Sequence, residues 1–274
     1  MAEIREAADL FSDCARITRI LHIPETTSTQ DDLTRLWNEE AVSSGTALIA
    51  DEQTAGRGRV GRTWFSTPEG SLLISVLLEF PATMRNNLGW VTLTGALAAQ
   101  RALQALAIDT QISWPNDIVV QAPTTRKIAG IIGEFIGERD GKLAVVLGMG
   151  LNITLADNEL PTPTSASLAT AGYRTPSRDK IAARYIFELF QLCDRLAHAL
   201  GNAETAGLLA ELNAKCETLK PNVTVNRPRA NPVVGTGKRV LADGSLEVET
   251  ETGTVVITTG EVSMLDKTTA NTQG

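Results

Sequence analysis

The fold is decided by residues 127–154, which read KIAGIIGEFIG (127–137), ERDGK (138–142) and LAVVLGMGLNIT (143–154). The two outer runs are rich in Ile, Val, Leu and Gly and carry the short apolar pattern of strands. Between them, Asp140-Gly141 suits the tight turn of a β-hairpin. The stretch therefore predicts two antiparallel strands joined by a short turn.

The flanking sequence adds strands and helices to this hairpin. TALIADEQ (46–53) and SLLISVLLEF (71–80) predict two more strands, and residues 88–106 have the apolar spacing of a helix that packs on a sheet. We predict, in addition, a short helix over 2–14, a strand at 111–114, a turn at 115–117, a strand at 118–120, a loop over 155–165 and helices over 178–200 and 203–215. These elements predict an α/β (α+β) fold with a mixed, largely antiparallel sheet.

The pattern of predicted secondary structure changes near Lys220. Short β segments alternate with turn signals such as Asp243-Gly244 and Thr252-Gly253, as in small β-barrels. We therefore predict a domain over residues 1–217, followed by a small β-barrel domain over 218–270.

The composition narrows the class of protein. The 274 residues carry 25 Lys and Arg against 32 Asp and Glu, a net charge of −7, so the overall field does not attract nucleic acid or anionic membranes. Three cysteines without Cys-x-x-Cys spacing argue against a disulfide framework or a zinc ribbon. No apolar run approaches the roughly 18 residues of a membrane span. We expect a cytoplasmic protein with no DNA and no membrane partner.

Residues 53–64, QTAGRGRVGRTW, are the most informative about chemistry. The glycines let main-chain N–H groups approach an anion, and Arg57, Arg59 and Arg62 add guanidinium groups that pair with carboxylates and phosphates. Trp64 follows directly, and a buried indole there requires a partner such as a nucleobase. We call residues 56–64 the cradle loop. Repulsion among its arginines predicts only partial order without a ligand.

The same glycines fit Gly-x-Gly-x-x-Gly, the fingerprint of dinucleotide-binding enzymes. That fold requires a helix to begin at the last glycine, with its dipole aimed at the pyrophosphate. Here Pro68 and Gly70 would interrupt such a helix. The context therefore argues against an NAD enzyme.

Five motifs in sequence order resemble those of the biotin protein ligases. They are Glu25–Thr29 (ETTST), Gly56–Trp64, Trp114–Asp117 (WPND), Lys127–Ile131 (KIAGI) and Gly148–Asn152 (GMGLN). Together they are more specific than any single motif, and the resemblance runs from Ser28 to the C-terminus. Because 27 residues precede Ser28, the chain resembles the short form without an N-terminal DNA-binding domain.

The resemblance implies a fold and a reaction. The fold is a class II synthetase-like biotin/lipoyl ligase domain with a C-terminal SH3-like β-barrel. The substrates are ATP and biotin, with Mg²⁺, and biotin is activated as biotinoyl-5′-AMP with release of pyrophosphate. The biotin is then transferred to a lysine of a biotin carboxyl carrier domain of an acetyl-CoA, acyl-CoA or pyruvate carboxylase. The protein is expected to be a monomer or a weak homodimer.

The resemblance also implies the roles of individual residues. The catalytic residues are Lys127, Arg59 and Asp117, of which Asp117 also binds Mg²⁺. The biotin-binding residues are Ser28, Thr29, Gln30, Gln53, Arg57, Gly58, Arg59, Lys127 and Gly130. The ATP-binding residues are Arg59, Arg62, Trp64, Asn116, Asp117, Lys127 and Asn152.

Physical chemistry independently supports part of this assignment. A carboxylate and a triphosphate repel one another, so fixed cations and oriented N–H groups must offset that repulsion. The candidates for these cations are Arg57, Arg59 and Lys127.

Two positions depart from the family's usual pattern. Gln30 replaces the usual Asn, and Ser113 replaces a Lys before the Trp-Pro-Asn-Asp turn. The second change removes a cation near the phosphates, so we expect weaker nucleotide contacts that Arg62 or Arg126 offsets.

Three other functions compete with this interpretation. A ligase that also represses transcription requires a DNA-binding domain of roughly sixty residues, more than precede Ser28. A lipoate or octanoyl transferase has the same general fold, but the cradle loop followed by Trp64 favours biotin. A binding module without catalysis would leave the anion-binding loop unused.

Overall fold

The computed structural model describes residues 5–6, 16–68, 70–121 and 123–263. The helices are α1 (Thr29–Asn38), α2 (Gly89–Ala105), α3 (Arg178–His198) and α4 (Leu208–Lys215), with 3-10 turns at Arg59–Gly61 and Ala82–Asn87. The strands are β1 (Arg5–Glu6), β2 (Arg19–Thr26), β3 (Thr46–Gln53), β4 (Ser71–Pro81), β5 (Gln111–Ser113), β6 (Asp117–Gln121), β7 (Thr125–Arg139), β8 (Lys142–Asn152), β9 (Val223–Arg227), β10 (Ala230–Val240), β11 (Leu246–Thr250), β12 (Gly253–Ile257) and β13 (Glu261–Val262).

The first eight strands form one sheet in the order β1-β2-β3-β4-β8-β7-β6-β5. Strands β2 and β3 run parallel, whereas every other neighbouring pair in this sheet is antiparallel. The predicted mixed, largely antiparallel sheet is therefore confirmed. Its centre is the predicted hairpin, because β8 pairs with both β4 and β7 over most of its length. Asp140 and Gly141 both have positive φ, 51° and 71°, as a type I′ turn requires.

Helices cover both faces of this sheet. On one face α1 packs on β3, β4 and β8, and its Leu33 and Trp37 join buried side chains such as Leu73 and Leu77. On the other face α2 packs on β5 to β8 and α3 packs on β4 and α2. Alternate residues of β4 therefore serve different cores, since Leu72 and Val76 belong to the second face. No helix among the described residues is both long enough and apolar enough to cross a membrane.

Most of the predicted elements are confirmed, two predicted helices differ from the structure, and one strand was missed. The helix expected over 2–14 lies largely outside the described residues, and the two of its residues that are described, Arg5–Glu6, pair with β2 as a strand. Strand β2 itself was not predicted. The last helix begins at Leu208 rather than 203, because Gly207 has a left-handed φ of 71° and the preceding residues form turns.

The last five strands form a second, antiparallel sheet in the order β12-β11-β10-β9-β13. This sheet agrees with the expected small β domain. Its β10–β11 turn packs against the first part of the chain, where the indole N–H of Trp90 donates to Ala242 O at 2.7 Å and that of Trp114 donates to Gly244 O at 2.9 Å. The second sheet is thereby attached beside the Trp-Pro-Asn-Asp turn.

Candidate active site

Two adjoining cavities lie at the C-terminal end of β3, under the cradle loop. The inner cavity has a volume of about 50 Å³ and the outer one about 350 Å³. Five residues line both cavities and form the boundary between them, which we call the seam: Gly58, Arg59, Trp64, Asn116 and Lys127. An indole, an amide, a guanidinium and an ammonium therefore meet where the two cavities join.

The structure brings the predicted site residues together in two groups. All nine predicted biotin-binding residues line the inner cavity, and all seven predicted ATP-binding residues line the outer cavity. The residues come from distant parts of the sequence, because α1, β3, the cradle loop, β6, β7 and β8 converge here. Their individual roles stay predictions.

One wall of the inner cavity carries neutral hydrogen-bonding groups. Gln53 Oε1 accepts from the main-chain N–H of Thr29 at 2.8 Å and from its hydroxyl at 3.1 Å, and Thr29 Oγ1 lies 2.7 Å from Ser75 Oγ. Ser28 caps α1 by accepting from the N–H of Asp31 at 3.5 Å. This wall suits a neutral polar ligand group.

Gln30 extends across the sheet. Its Nε2 donates to Ile132 O at 3.3 Å and to Val146 O at 3.5 Å, and its side chain lies over Gly148. The methylene that distinguishes Gln30 from the usual Asn thus lets the amide reach main-chain carbonyls of β7 and β8. The amide donors contact the protein itself.

Glycines of β7 and β8 form the surface on which Trp64 lies. A Cβ at Gly150 would overlap the indole, and one at Gly130 would come within 3.2 Å of Trp64 Cζ3. Lys127 Nζ lies 5.6 Å from the centre of the indole, at the limit of a cation–π contact. Trp64 Nε1 is buried and has no hydrogen-bond partner among the described residues. The ring therefore separates the two cavities.

Three of the arginines considered in the sequence have carboxylate partners. Arg57 pairs with Asp31, and its Nη2 lies 2.8 Å from Glu134 Oε2. Arg62 pairs with Glu261 of the second sheet. Arg126 lies 3.5 Å from Asp157 Oδ1, donates to Thr170 O at 3.2 Å, and does not line the outer cavity.

These ion pairs modify two expectations. Arg57 was expected to neutralise the reactants, and Arg62 or Arg126 to replace the lysine missing at Ser113. In the structure each is already engaged by an acidic side chain, which also offsets the repulsion expected within the cradle loop.

Arg59 has different surroundings. Its Nη1 donates to Asn116 Oδ1 at 3.0 Å and to Gly260 O at 3.3 Å, both neutral acceptors. Within the described residues no carboxylate lies at ion-pair distance from it. Burial lowers the pKa of Arg59 from its usual value and Arg62 lowers it further, whereas Asp117 and Glu261 act in the opposite direction. An arginine with so high an intrinsic pKa stays charged, so its charge is available to an anionic ligand.

The other polar residues of the seam are held firmly. Asn116 is buried and its Nδ2 donates to Ile131 O at 2.8 Å. Lys127 Nζ lies 2.7 Å from Asp117 Oδ1. In the outer cavity, Asn152 Nδ2 donates to Ala166 O at 3.1 Å, while its buried Oδ1 has no partner among the described residues. That oxygen is a free acceptor beside the cavity.

A metal site made only of protein groups is not present in the described part of the chain, where no three His, Cys, Asp or Glu side chains cluster. Asp117 offers a single carboxylate beside the outer cavity. One carboxylate fits Mg²⁺ that arrives on a nucleotide, because Mg²⁺ keeps several waters and takes its remaining ligands from phosphates.

Comparison with known proteins agrees with this geometry. Residues 23–152 match the biotin/lipoate A/B protein ligase family. The biotin--[acetyl-CoA-carboxylase] ligase of Mycobacterium tuberculosis is 32% identical over 244 residues, which cover 88% of this chain and 86% of that protein. The chain belongs to the biotin/lipoate A/B protein ligase family.

Members of this ligase family are enzymes, and this chain is one of them. The structure of a biotin protein ligase from Aquifex aeolicus in complex with biotin and ATP is similar, with a TM-score of 0.71 and 27% identity over 89% of this chain and 97% of that one. The Escherichia coli bifunctional ligase/repressor BirA is 31% identical over 150 residues, 54% of this chain and 46% of that protein. The resemblance inferred from the five motifs is thus confirmed.

Several residues that line the two cavities were not predicted. Ile74, Ser75 and Ile132 also line the inner cavity. Period-two alternation could have indicated Ser75 in β4 and Ile132 in β7, whereas Ile74 belongs with Leu72 and Val76 to the core on the opposite face. Glu261 and its neighbours in β13 line the outer cavity. No local sequence signal identifies them, because they reach the site through the packing of the second sheet.

Proposed function

We propose that this chain is an ATP-dependent biotin protein ligase. The observation that carries the proposal is the seam, where a cavity with neutral polar groups meets a larger cavity with Trp64 and Asn152 along a boundary that carries Arg59 and Lys127. The ureido ring of biotin suits the neutral polar wall of the inner cavity, because that ring needs donors and acceptors without charge. The carboxylate of biotin and the α-phosphate of ATP then meet at the two cations.

In the first step, a carboxylate oxygen of biotin attacks the α-phosphorus of ATP. The bond from that phosphorus to the bridging oxygen of the β-phosphate breaks, and pyrophosphate leaves with the electron pair. Arg59 and Lys127 lower the repulsion between the two anions and stabilise charge that develops on the phosphoryl oxygens. Asn116 orients Arg59, and Asp117 orients Lys127. Asp117 would hold Mg²⁺ together with the phosphates, and the ion would supply further charge neutralisation.

In the second step, a lysine amine of an acceptor protein attacks the carbonyl carbon of biotinoyl-AMP. The carbon–oxygen bond to the phosphate breaks, AMP leaves, and the amine loses a proton to form an amide. We propose a biotin carboxyl carrier domain as the acceptor, since the name of the Mycobacterium tuberculosis relative specifies acetyl-CoA carboxylase. Only the lysine chain must enter the seam, so the acceptor docks outside the cradle loop.

Lipoate is the competing substrate, because the family includes ligases for both acids. Its dithiolane ring offers no amide N–H or carbonyl to the hydrogen-bonding groups of Thr29, Gln53 and Ser75. These groups satisfy one another only in part, and the hydrogen-bonding capacity that they have left would face an apolar ring, which disfavours the complex. The wall of the inner cavity therefore supports biotin.

Pyrophosphate exchange with each acid tests the proposal. Biotin with Mg·ATP is expected to support exchange and to give biotinoyl-AMP by mass spectrometry, whereas lipoate is expected to support neither. Lys127→Ala is expected to lower exchange by a factor of about 100 while the fold is retained, because an electrostatic contact to the transition state is lost. Lys142→Ala, which removes an exposed lysine paired with Glu79, is the control and should leave exchange unchanged.

Pyrophosphate exchange with lipoate but not with biotin would contradict the proposed substrate. Full exchange by Lys127→Ala would remove that residue from the mechanism.

A further inference from the structure

Arg57 lines the inner cavity and bridges two of its walls. One wall of that cavity comes from the start of α1 with Thr29 and Gln30, and another from β7 with Gly130 and Ile132. Arg57 leaves the cradle loop and pairs with Asp31 of α1 and with Glu134 of β7, one carboxylate on each side.

The rest of the cradle loop is held at its base and, through Arg59 and Arg62, on the side of the second sheet, and not between these two walls. At the base, Thr54 N–H donates to Thr26 O at 2.9 Å and Ala55 N–H to Thr27 O at 3.0 Å. Within the loop, Trp64 N–H donates to Gly56 O at 2.8 Å, which closes a short hairpin. Trp64 packs on Gly130 of β7. Among the hydrogen bonds and ion pairs of the described residues, those of Arg57 join this hairpin to both α1 and β7.

The charge of Arg57 is fully compensated. Two carboxylates face one guanidinium, so the group of three carries a net charge of −1 and offers no excess positive charge to an acid or a phosphate. Burial alone would lower the pKa of Arg57, but the hydrogen bonds and charges of Asp31 and Glu134 outweigh it and raise the pKa. Arg57 is therefore poorly suited to neutralising a reactant, and well suited to holding the loop.

We propose that Arg57, with Asp31 and Glu134, is a strap that closes the cradle loop over the inner cavity and sets how long a bound acid is retained. This proposal rests on the ligase function proposed above. Arg57 is a positioning residue in this account, and Asp31 and Glu134 are its anchors. Because the three side chains are about half exposed, the strap opens readily and loosens as salt screens its charges.

The release of biotin measures the strap directly. The double variant Asp31→Asn/Glu134→Gln keeps the shapes of both anchors and removes their charges. We expect its biotin dissociation rate to rise about 3- to 10-fold, the range of two exposed ion pairs. At saturating biotin and ATP, its rate of adenylate formation should change less than twofold, since Arg59 and Lys127 are untouched. Glu138→Gln, on the same strand but paired with Arg85, is the matched control and should release biotin at the wild-type rate.

Variants of Arg57 separate the strap from a direct role with reactants. Arg57→Gln should release biotin as fast as the double variant, and Arg57→Lys should lie between, because one ammonium cannot engage two carboxylates in parallel. In 1 M salt, wild-type and double variant should converge, since the Debye length falls to about 3 Å. The opposite result is that the double variant releases biotin at the wild-type rate while Arg57→Gln forms the adenylate more slowly. Arg57 would then act on the reactants, and the strap proposal would be wrong.

Trypsin cleavage provides a readout that needs no ligand. The cradle loop carries its own trypsin sites at Arg59 and Arg62, and a loosened loop is cut faster. We expect about 3- to 10-fold faster cleavage at these sites in the double variant than in wild type or in Glu138→Gln. Unchanged cleavage would overturn the strap. If trypsin cuts the double variant faster than the wild type but the wild type does not bind biotin, the proposed function is overturned and the strap proposal still stands.

Discussion

Arg59 and Arg62 stand three residues apart in the cradle loop and meet different partners. Arg62 is exposed and pairs with Glu261, so its charge is largely compensated. Arg59 is partly buried, contacts two neutral acceptors and lines both cavities. A charge in a partly buried site interacts more strongly with a ligand than one that water and a carboxylate already surround.

This contrast gives a prediction for two variants. Arg59→Met keeps an unbranched apolar stem but removes the guanidinium group and its donors. We expect kcat/KM for pyrophosphate exchange with biotin to fall by a factor of about 100 to 1,000, the loss typical for one transition-state donor. Arg62→Gln should cost less than about tenfold, since it breaks an exposed pair. Steady-state exchange measures both. Equal losses in the two variants would contradict the division of roles.

The sequence alone could not make this distinction among the three arginines. The glycine spacing and the guanidinium groups correctly indicate a loop beside the cavities. The five motifs contain all seven predicted residues that line the outer cavity and seven of the nine that line the inner one, whereas Gln30 and Gln53 lie outside the motifs. The partners do not, because Asp31 and Glu134 lie 26 and 77 residues from Arg57. Which charge stays free is decided by tertiary packing.

At the scale of elements, the pair β7–β8 both supports the sheet and shapes the site. Side chains two residues apart in a strand face the same side, so Gly148 and Gly150 of β8 leave a continuous strip without Cβ atoms. Gln30 lies over the first and Trp64 over the second. These glycines are required by the close approach of other side chains, since neither has positive φ.

Gly150→Ala tests this strip. Its Cβ would overlap the indole of Trp64, so we expect the ring to move from its place between the cavities and KM for ATP to rise about tenfold, the loss of a stacking contact of roughly 1–3 kcal/mol. The wavelength of maximum tryptophan emission should shift when Gly150→Ala is made in the wild-type chain. It should not shift when Gly150→Ala is made in a Trp64→Phe variant. Gly89→Ala is the control, because its Cβ meets open space. An unchanged KM and an unchanged emission in Gly150→Ala would show that Trp64 lies elsewhere.

Predictability also varied among elements. The β7–β8 hairpin and α2 were predicted because their apolar periodicity is long and their ends are marked by turn residues. Strand β2 was missed, since Pro24 and the partly exposed His22 interrupt its alternation. At Arg5–Glu6 a helical pattern predicted the wrong structure, because main-chain pairing with β2 overrides a weak local preference.

At the scale of the whole molecule, the second sheet completes the site. Gly260 accepts from Arg59 and Glu261 pairs with Arg62, so residues some 200 positions away in the sequence contact the cradle loop. The change to short β segments near Lys220 predicted a small β domain, but it could not predict this contact. Trp90 and Trp114, whose indole N–H groups reach the β10–β11 turn, fix the orientation of the second sheet against α2 and the Trp-Pro-Asn-Asp turn.

Two buried thiols can test the predicted boundary between residues 217 and 218. Cys216 lies beside it and pairs as a bridge with Ile112 of β5, whereas Cys193 lies within α3 in the core of the first part. Burial raises the pKa of Cys216 to about 11 and that of Cys193 to about 12, so few thiolates are present at pH 8 and both should react slowly with iodoacetamide in the native protein.

In low concentrations of urea, we expect Cys216 to be labelled before Cys193. The second sheet is held by hydrogen bonds to Trp90, Trp114, Asn213 and the cradle loop and by apolar side chains at the edge of the shared core. It buries fewer apolar side chains than the helix-covered sheet, so we expect it to separate at a lower free energy than the one needed to open the first sheet. Pulse labelling followed by peptide mass spectrometry measures both sites, in a Cys14→Ser background that removes the third thiol. If the two cysteines become reactive together at every urea concentration, the chain unfolds as one cooperative unit and the boundary near residue 218 has no thermodynamic meaning.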